Sequence, residues 1–161
     1  MPSAFPGANK GIGFELVRQL ASADPTLTVL MGARDPARGS ASVAALGLSN
    51  VAPLALDVSS AASIKAAAAE VSRRYGKLDL LVCNAGVFLK DGRDASGAAA
   101  DIDETLAPNY YGVRDCCSAF MPILNANGRS DTYVACCHCS SCCGTPFLSL
   151  RLCADRLFVS R

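Results

Sequence analysis

A chain of 161 residues, 51% of them apolar, holds one domain with enough apolar mass for a real core. Fifteen basic and 14 acidic residues leave a net charge of +1 with no basic block, which argues against nucleic acid and anionic membrane surfaces as partners. No apolar run approaches the ~18 residues of a membrane span, and Met1-Pro2-Ser3-Ala4-Phe5-Pro6 lacks the basic and apolar regions of a secretory signal, so a cytoplasmic location is expected.

Along the chain, helix and strand signals alternate. Three glycines in Gly7-Ala8-Asn9-Lys10-Gly11-Ile12-Gly13 lead into a helix from Ile12 to Ala23. Leu27 to Met31 is a short apolar strand stopped by Gly32, and residues 36–46 are a helix with Pro36 in its first turn. Val51 to Leu56 is another apolar run, ending at Asp57-Val58, and 60–75 is an alanine-rich helix. Leu78 to Cys83 is a buried strand that ends at Asn84-Ala85-Gly86. Residues 102–125 form a long helix, with Leu106, Tyr110, Val113, Cys117, Phe120 and Leu124 expected to share its apolar stripe. Thr132 to Cys137 reads as a strand and Leu148–Val159 as a short helix. Short apolar strands separated by helices predict an α/β fold: a doubly wound parallel sheet with helices on both faces.

The glycine loop is the most informative segment, although taken alone it also suits an ordinary surface turn. A helix start offers unpaired N–H groups and a partial positive charge, which suit a phosphate. Glycine lets the backbone turn tightly where a Cβ would block the ligand. Asp57 stands just past a strand, at the sheet edge where ligands bind in open α/β sheets, though a helix cap or turn would also use an aspartate there. Asn84-Ala85-Gly86 places small residues at the next strand end. A preference for NAD calls for an acidic residue about 20 positions past the loop, to bond the ribose 2′-hydroxyl. That position is Ala33, followed by Arg34, with Lys10 inside the loop. Two cations and no carboxylate at Ala33 point to a 2′-phosphate, hence NADP, although Asp35 complicates the balance and both cations could be ordinary solvated side chains.

Five segments in order carry a resemblance: Gly7–Gly13, Arg34-Asp35-Pro36-Ala37-Arg38-Gly39, Leu56-Asp57-Val58, Leu78–Gly86 and Asn109-Tyr110-Tyr111-Gly112. Over residues 6–129 the chain resembles the short-chain dehydrogenase/reductase family, on its carbonyl-reductase branch. The resemblance implies a Rossmann-type domain over 1–129 and an oxidoreductase that uses NADP to reduce a small-molecule carbonyl to an alcohol. It implies coenzyme contacts at Gly7, Asn9, Lys10, Gly11, Ile12, Gly13, Arg34, Asp57, Val58, Asn84, Ala85 and Gly86. Asp57 would receive the adenine amino group. Asn109 would bend its helix and hold a water of the proton relay, where residues alone suggest only a polar boundary position.

Two family features are missing. The family's general acid is a tyrosine in a Tyr-x-x-x-Lys pair; here no lysine follows Lys90 and Tyr133 is followed four places later by Cys137. The family also opens on an apolar strand and a threonine, where this chain has five residues and Pro6. The expectation is therefore a fold incomplete at its first strand and C-terminus: a truncated reductase with little or no turnover, or a non-catalytic NADP-binding remnant. Residues 130–161 are set apart as a cysteine-rich tail unlike the family, disordered or mistranslated. Six of the nine cysteines lie from Cys136 onward. With His138 they suggest a metal or redox module, but the candidate ligands crowd one segment where structural zinc joins two separated pairs, so no metal is assigned. The cysteines are read as free thiols in a reducing compartment.

Overall fold

The computed structural model describes residues 1–87 and 103–125, and the backbone of three further strands at 133–134, 149–153 and 156–160. The first part of the chain alternates strictly. It runs β1 (Pro2–Phe5), α1 (Gly11–Ala23), β2 (Thr28–Ala33), α2 (Pro36–Leu46), β3 (Val51–Ala55), α3 (Ala61–Tyr75) and β4 (Leu80–Cys83). A long helix, α4, covers 103–123. The remaining strands are β5 (Tyr133–Val134), β6 (Ser149–Cys153) and β7 (Arg156–Ser160).

Strands β1 to β5 form one parallel sheet in the order β3-β2-β1-β4-β5. Alternate residues of its strands feed two cores. Ala4, Leu30 and Leu81 join Ile64 and Val71 of α3 and Phe120 of α4 on one face. Phe5, Val29, Met31 and Val82 join Val17 and Ala21 of α1 on the other. Helices thus cover both faces, as the pattern predicts.

The first strand is present, contrary to the expectation that it is incomplete. Pro2 to Phe5 pair with Thr28 to Met31, and Ser3 and Ala4 pair with Leu80 and Leu81. Four residues suffice because β1 is central and bonds on both sides. Pro2 is harmless because it sits at the strand's first position, where no ladder donor is lost from the interior. Its carbonyl accepts from the Asp79 N–H at 2.8 Å, and the Met1 carbonyl accepts from Thr28 at 3.0 Å. Pro53 is tolerated for a related reason, since β3 is an edge strand.

Two other expectations need correction. In α4 the buried residues are Pro108, Gly112, Cys116 and Phe120; Leu106 and Tyr110 of the expected stripe are exposed. The cause is a π turn at Ala107–Tyr111, whose extra residue rotates everything before it out of the 3.6-residue register. Gly112 can be buried there because the Val58 carbonyl fills the place of its missing Cβ. Second, Leu148–Val159 does not form a helix. Strands β6 and β7 pair antiparallel, with Leu150 opposite Val159 and Leu152 opposite Leu157. The alternation Leu150-Arg151-Leu152 has the period of a strand.

Candidate functional site

The chain winds from β1 outward to β2 and β3, then returns to β4 on the other side of β1. The connections leaving β1 and β4 therefore diverge, and a crevice opens between them at the carboxyl ends of the strands. The expected coenzyme residues gather along that edge. The glycine loop follows β1, Arg34 follows β2, Asp57 and Val58 follow β3, and Asn84 to Gly86 follow β4.

The loop is clamped to the end of β4. Gly7 has φ +72, and a Cβ on it would lie 2.6 Å from the Ala85 Cα and 2.9 Å from the Ala85 N. A Cβ on Gly13 would strike the Asn84 side chain and lie 2.9 Å from the Ala8 Cα. Asn84 Nδ2 donates to the Gly7 carbonyl at 2.9 Å. A second tie runs from α2, where the Ser42 hydroxyl donates to the Asn9 carbonyl at 2.9 Å.

The outer side of the loop is open. Gly11, at φ +61, has nothing among the described residues within 4 Å of the place a Cβ would occupy. Lys10 is exposed and Ile12 is 71% exposed. The three helices α1 to α3 differ at their starts. Asp35 caps α2, accepting from the Ala37 N–H at 2.9 Å, and Ser60 caps α3, accepting from the Ser63 N–H at 3.3 Å. Helix α1 begins at Lys10 with no side-chain cap and no acidic residue in its first turn. Its leading N–H groups and positive dipole end are thus available to an external anion.

Arg34 is exposed at the end of β2. The neighbouring Asp35 is occupied: besides capping α2 it pairs with Arg38 at 3.4 Å. Asp57 shapes a turn, its Oδ1 accepting from the Ser59 N–H at 2.9 Å and the Ser59 hydroxyl at 2.6 Å. Val58 is buried beneath it. On the other wall, Asn109 sits within the π turn of α4 and grips the backbone beyond β4. Its Oδ1 accepts from the Val87 N–H and its Nδ2 donates to the Val87 carbonyl, both at 2.8 Å. A Cβ on Gly86 would lie 3.2 Å from Asn109 Oδ1, so Gly86 lets the amide close in.

Behind Asn84, the thiols of Cys83, Cys116 and Cys117 are unpaired by disulfides. Contact with the Cys116 thiol, then with Cys117, and burial push the Cys83 thiol well above its ordinary range. The Cys83 thiol in turn holds Cys117 below it. Among the described residues no group of three His, Cys, Asp or Glu side chains could hold a metal, and no helix is long and apolar enough to cross a membrane. The run Cys136–Cys143 lies outside the described residues.

With the crevice and its loop in place, comparison with known proteins identifies the fold's lineage. The family model for short chain dehydrogenases matches residues 5–135. The chain belongs to the short-chain dehydrogenase family. That match runs past Arg129 and takes in β5, which extends the kinship beyond the 6–129 read from the sequence. Carbonyl reductase (NADPH) 1 of Bos taurus is 40% identical over 128 residues, covering 76% of this chain and 44% of its own length. Among solved structures, a short-chain dehydrogenase/reductase of Brucella melitensis, of the glucose/ribitol dehydrogenase type, superposes with a TM-score of 0.69 at 27% identity, covering 77% of this chain and 52% of that one. A metagenomic short-chain oxidoreductase in complex with NADP superposes at 0.68 with 29% identity, covering 76% of this chain and 56% of its own. The chain thus spans less than half the length of the bovine relative.

Proposed function

We propose that this short-chain dehydrogenase chain binds NADP(H) across the crevice between β1 and β4, as the coenzyme-holding part of a reductase for small carbonyl compounds. One observation carries the reading: α1 alone of the first three helices starts without a side-chain cap, and it starts at the glycine loop. The diphosphate would lie on the N–H groups of Gly11, Ile12 and Gly13. Arg34 and Lys10 would take the 2′-phosphate, a guanidinium being able to bond it in two places. Asp35 does not oppose them strongly, since its charge is spent on the α2 start and on Arg38. Among the described residues the bonds to the Asp57 carboxylate fall on Oδ1, so its Oδ2 would take the adenine amino group, and Asn84 to Gly86 would form the wall beside the nicotinamide. When bound, the coenzyme supplies the hydride. The names of the bovine relative and of the metagenomic NADP complex support the choice of coenzyme and of a carbonyl substrate.

The test is titration of the folded chain with NADPH and with NADH. Tighter binding of NADPH is expected; affinity for neither, or preference for NADH, would refute the reading. A second reading, binding without turnover, is favoured by one fact: no tyrosine in the sequence is followed four places on by a lysine. An unperturbed phenol near pKa 10 is a poor proton donor at neutral pH without such a cation. NADPH absorbance in the presence of a quinone or an aldehyde is expected to stay nearly constant. Steady consumption by the pure chain would exclude this second reading.

A further inference from the structure

Two side chains fix carbonyls of the glycine loop: Asn84 from the β4 side and Ser42 from α2. The second is unexpected. A serine within a helix usually turns its hydroxyl back to its own helix or out to water. Alanine would be the better helix former at this position. Ser42 instead reaches a residue 33 positions away and donates to the Asn9 carbonyl at 2.9 Å, in a partly buried contact.

That bond has a directional consequence. The Asn9–Lys10 peptide is trans, like every peptide here whose geometry is described. In a trans peptide the carbonyl and the N–H point in opposite directions. With the Asn9 carbonyl held toward α2, the Lys10 N–H is turned away from α2. Lys10 is also the residue at the uncapped start of α1, with φ −160 and ψ 167. The same bond therefore sets where the Lys10 side chain leaves the loop. It also ties the loop to the helix that begins two residues after Arg34.

Resting on the NADP reading above, we propose that Ser42 is a positioning residue for coenzyme choice: its hydroxyl holds Lys10 in register with Arg34, so that both cations meet one 2′-phosphate. Loss of the hydroxyl frees the Asn9–Lys10 peptide and disperses the two charges. The effect falls on the phosphorylated coenzyme, because the N–H groups further into α1 are held by the helix itself.

The experiment is fluorescence titration of the full chain with NADPH and NADH, for the native protein, Ser42→Ala and Ser42→Thr. Ser42→Ala is expected to weaken NADPH binding about fivefold to tenfold, the worth of one hydrogen bond, while NADH binding stays within about twofold. Ser42→Thr, which keeps the hydroxyl, restores the NADPH/NADH ratio. The thermal midpoint of Ser42→Ala should stay close to that of the native chain, which separates positioning from unfolding. An unchanged ratio in Ser42→Ala, whether both affinities persist or both fall together, overturns the role of Ser42. If the native chain itself shows no preference for NADPH, the coenzyme reading falls first and Ser42 with it. If the native chain prefers NADPH and the alanine variant does so equally, Ser42 alone is refuted.

Discussion

The loop after β1 has two sides built on opposite principles. The inner side is packed: Gly7 and Gly13 press against Ala85 and Asn84, with no room for a methyl group. The outer side is bare among the described residues, with nothing near the place of a Gly11 Cβ and Ile12 71% exposed. The inner contacts fix the loop's shape, and the outer side is left for a ligand. Substitutions on the two sides should therefore separate stability from binding.

The largest effect belongs to the inner side. Gly7→Ala adds a strained left-handed residue, costing about 1–2 kcal/mol, and a clash with backbone that must move, costing about 1–3 kcal/mol more. Urea unfolding should show a loss of about 2–5 kcal/mol. Gly11→Ala has a similar φ but open space, so only the conformational cost of about 1–2 kcal/mol remains. Equal losses at the two positions would erase the distinction.

On the outer side, Arg34→Ala should leave stability within about 0.5 kcal/mol, as an exposed substitution does. NADPH affinity should fall about tenfold to a hundredfold, the worth of charge-assisted hydrogen bonds, with NADH affinity unchanged. Titration with both coenzymes checks this. A variant that lost stability without losing NADPH would place Arg34 on the structural side instead.

Much of this architecture is legible in the sequence, and the exceptions have physical causes. Strands β2 to β4 and helices α1 to α3 announce themselves because short apolar runs alternate with amphipathic ones. The glycine loop is legible as a tight turn into a helix, because three glycines in seven residues run straight into the apolar positions of α1. β1 is not legible: four residues after a methionine, one a proline, carry no periodicity, and only their central place in the sheet makes them a strand. The buried face of α4 is misread because the π turn around Asn109 breaks the 3.6-residue count; Pro108, which has no N–H for the helix ladder, marks a break there without fixing its width. Ser42 is invisible for another reason. Its partner is a backbone carbonyl 33 residues away, and a serine among alanines in α2 looks like a helix filler.

Asn109 tests whether the inner packing extends across the crevice. Its amide makes two hydrogen bonds to the backbone of Val87, which is exposed, so water can replace part of what is lost. Asn109→Ala should cost about 1–2 kcal/mol in urea unfolding, nearer one hydrogen bond than two. Hydrogen exchange at the Val87 amide should accelerate in the same variant. Unchanged protection there would mean that α4 does not hold the end of β4.

The smallest effect concerns the outer side's own charge. Glu15 is the one carboxylate on α1, one turn past the open helix start. Arg18 Nε donates to Glu15 Oε2 and Gln19 Nε2 to Oε1, both at 2.8 Å, and these bonds, Arg18's first, lower the carboxyl from 4.5 to about 2. Because the folded-state value is depressed, Glu15 contributes stability above its unfolded value of 4.5, and that contribution is lost as pH falls toward about 2. Glu15→Gln should lower stability slightly at about pH 6 and converge with the native chain near about pH 2. Both groups are exposed, so the gap is small and partly screened by salt. The same pairing bears on the ligand. A carboxylate bound to Arg18 and Gln19 repels a phosphate at the helix start only weakly, so Glu15→Gln should change NADPH affinity by less than about twofold. A larger gain in affinity would show that Glu15 opposes the coenzyme despite its bonds to Arg18 and Gln19.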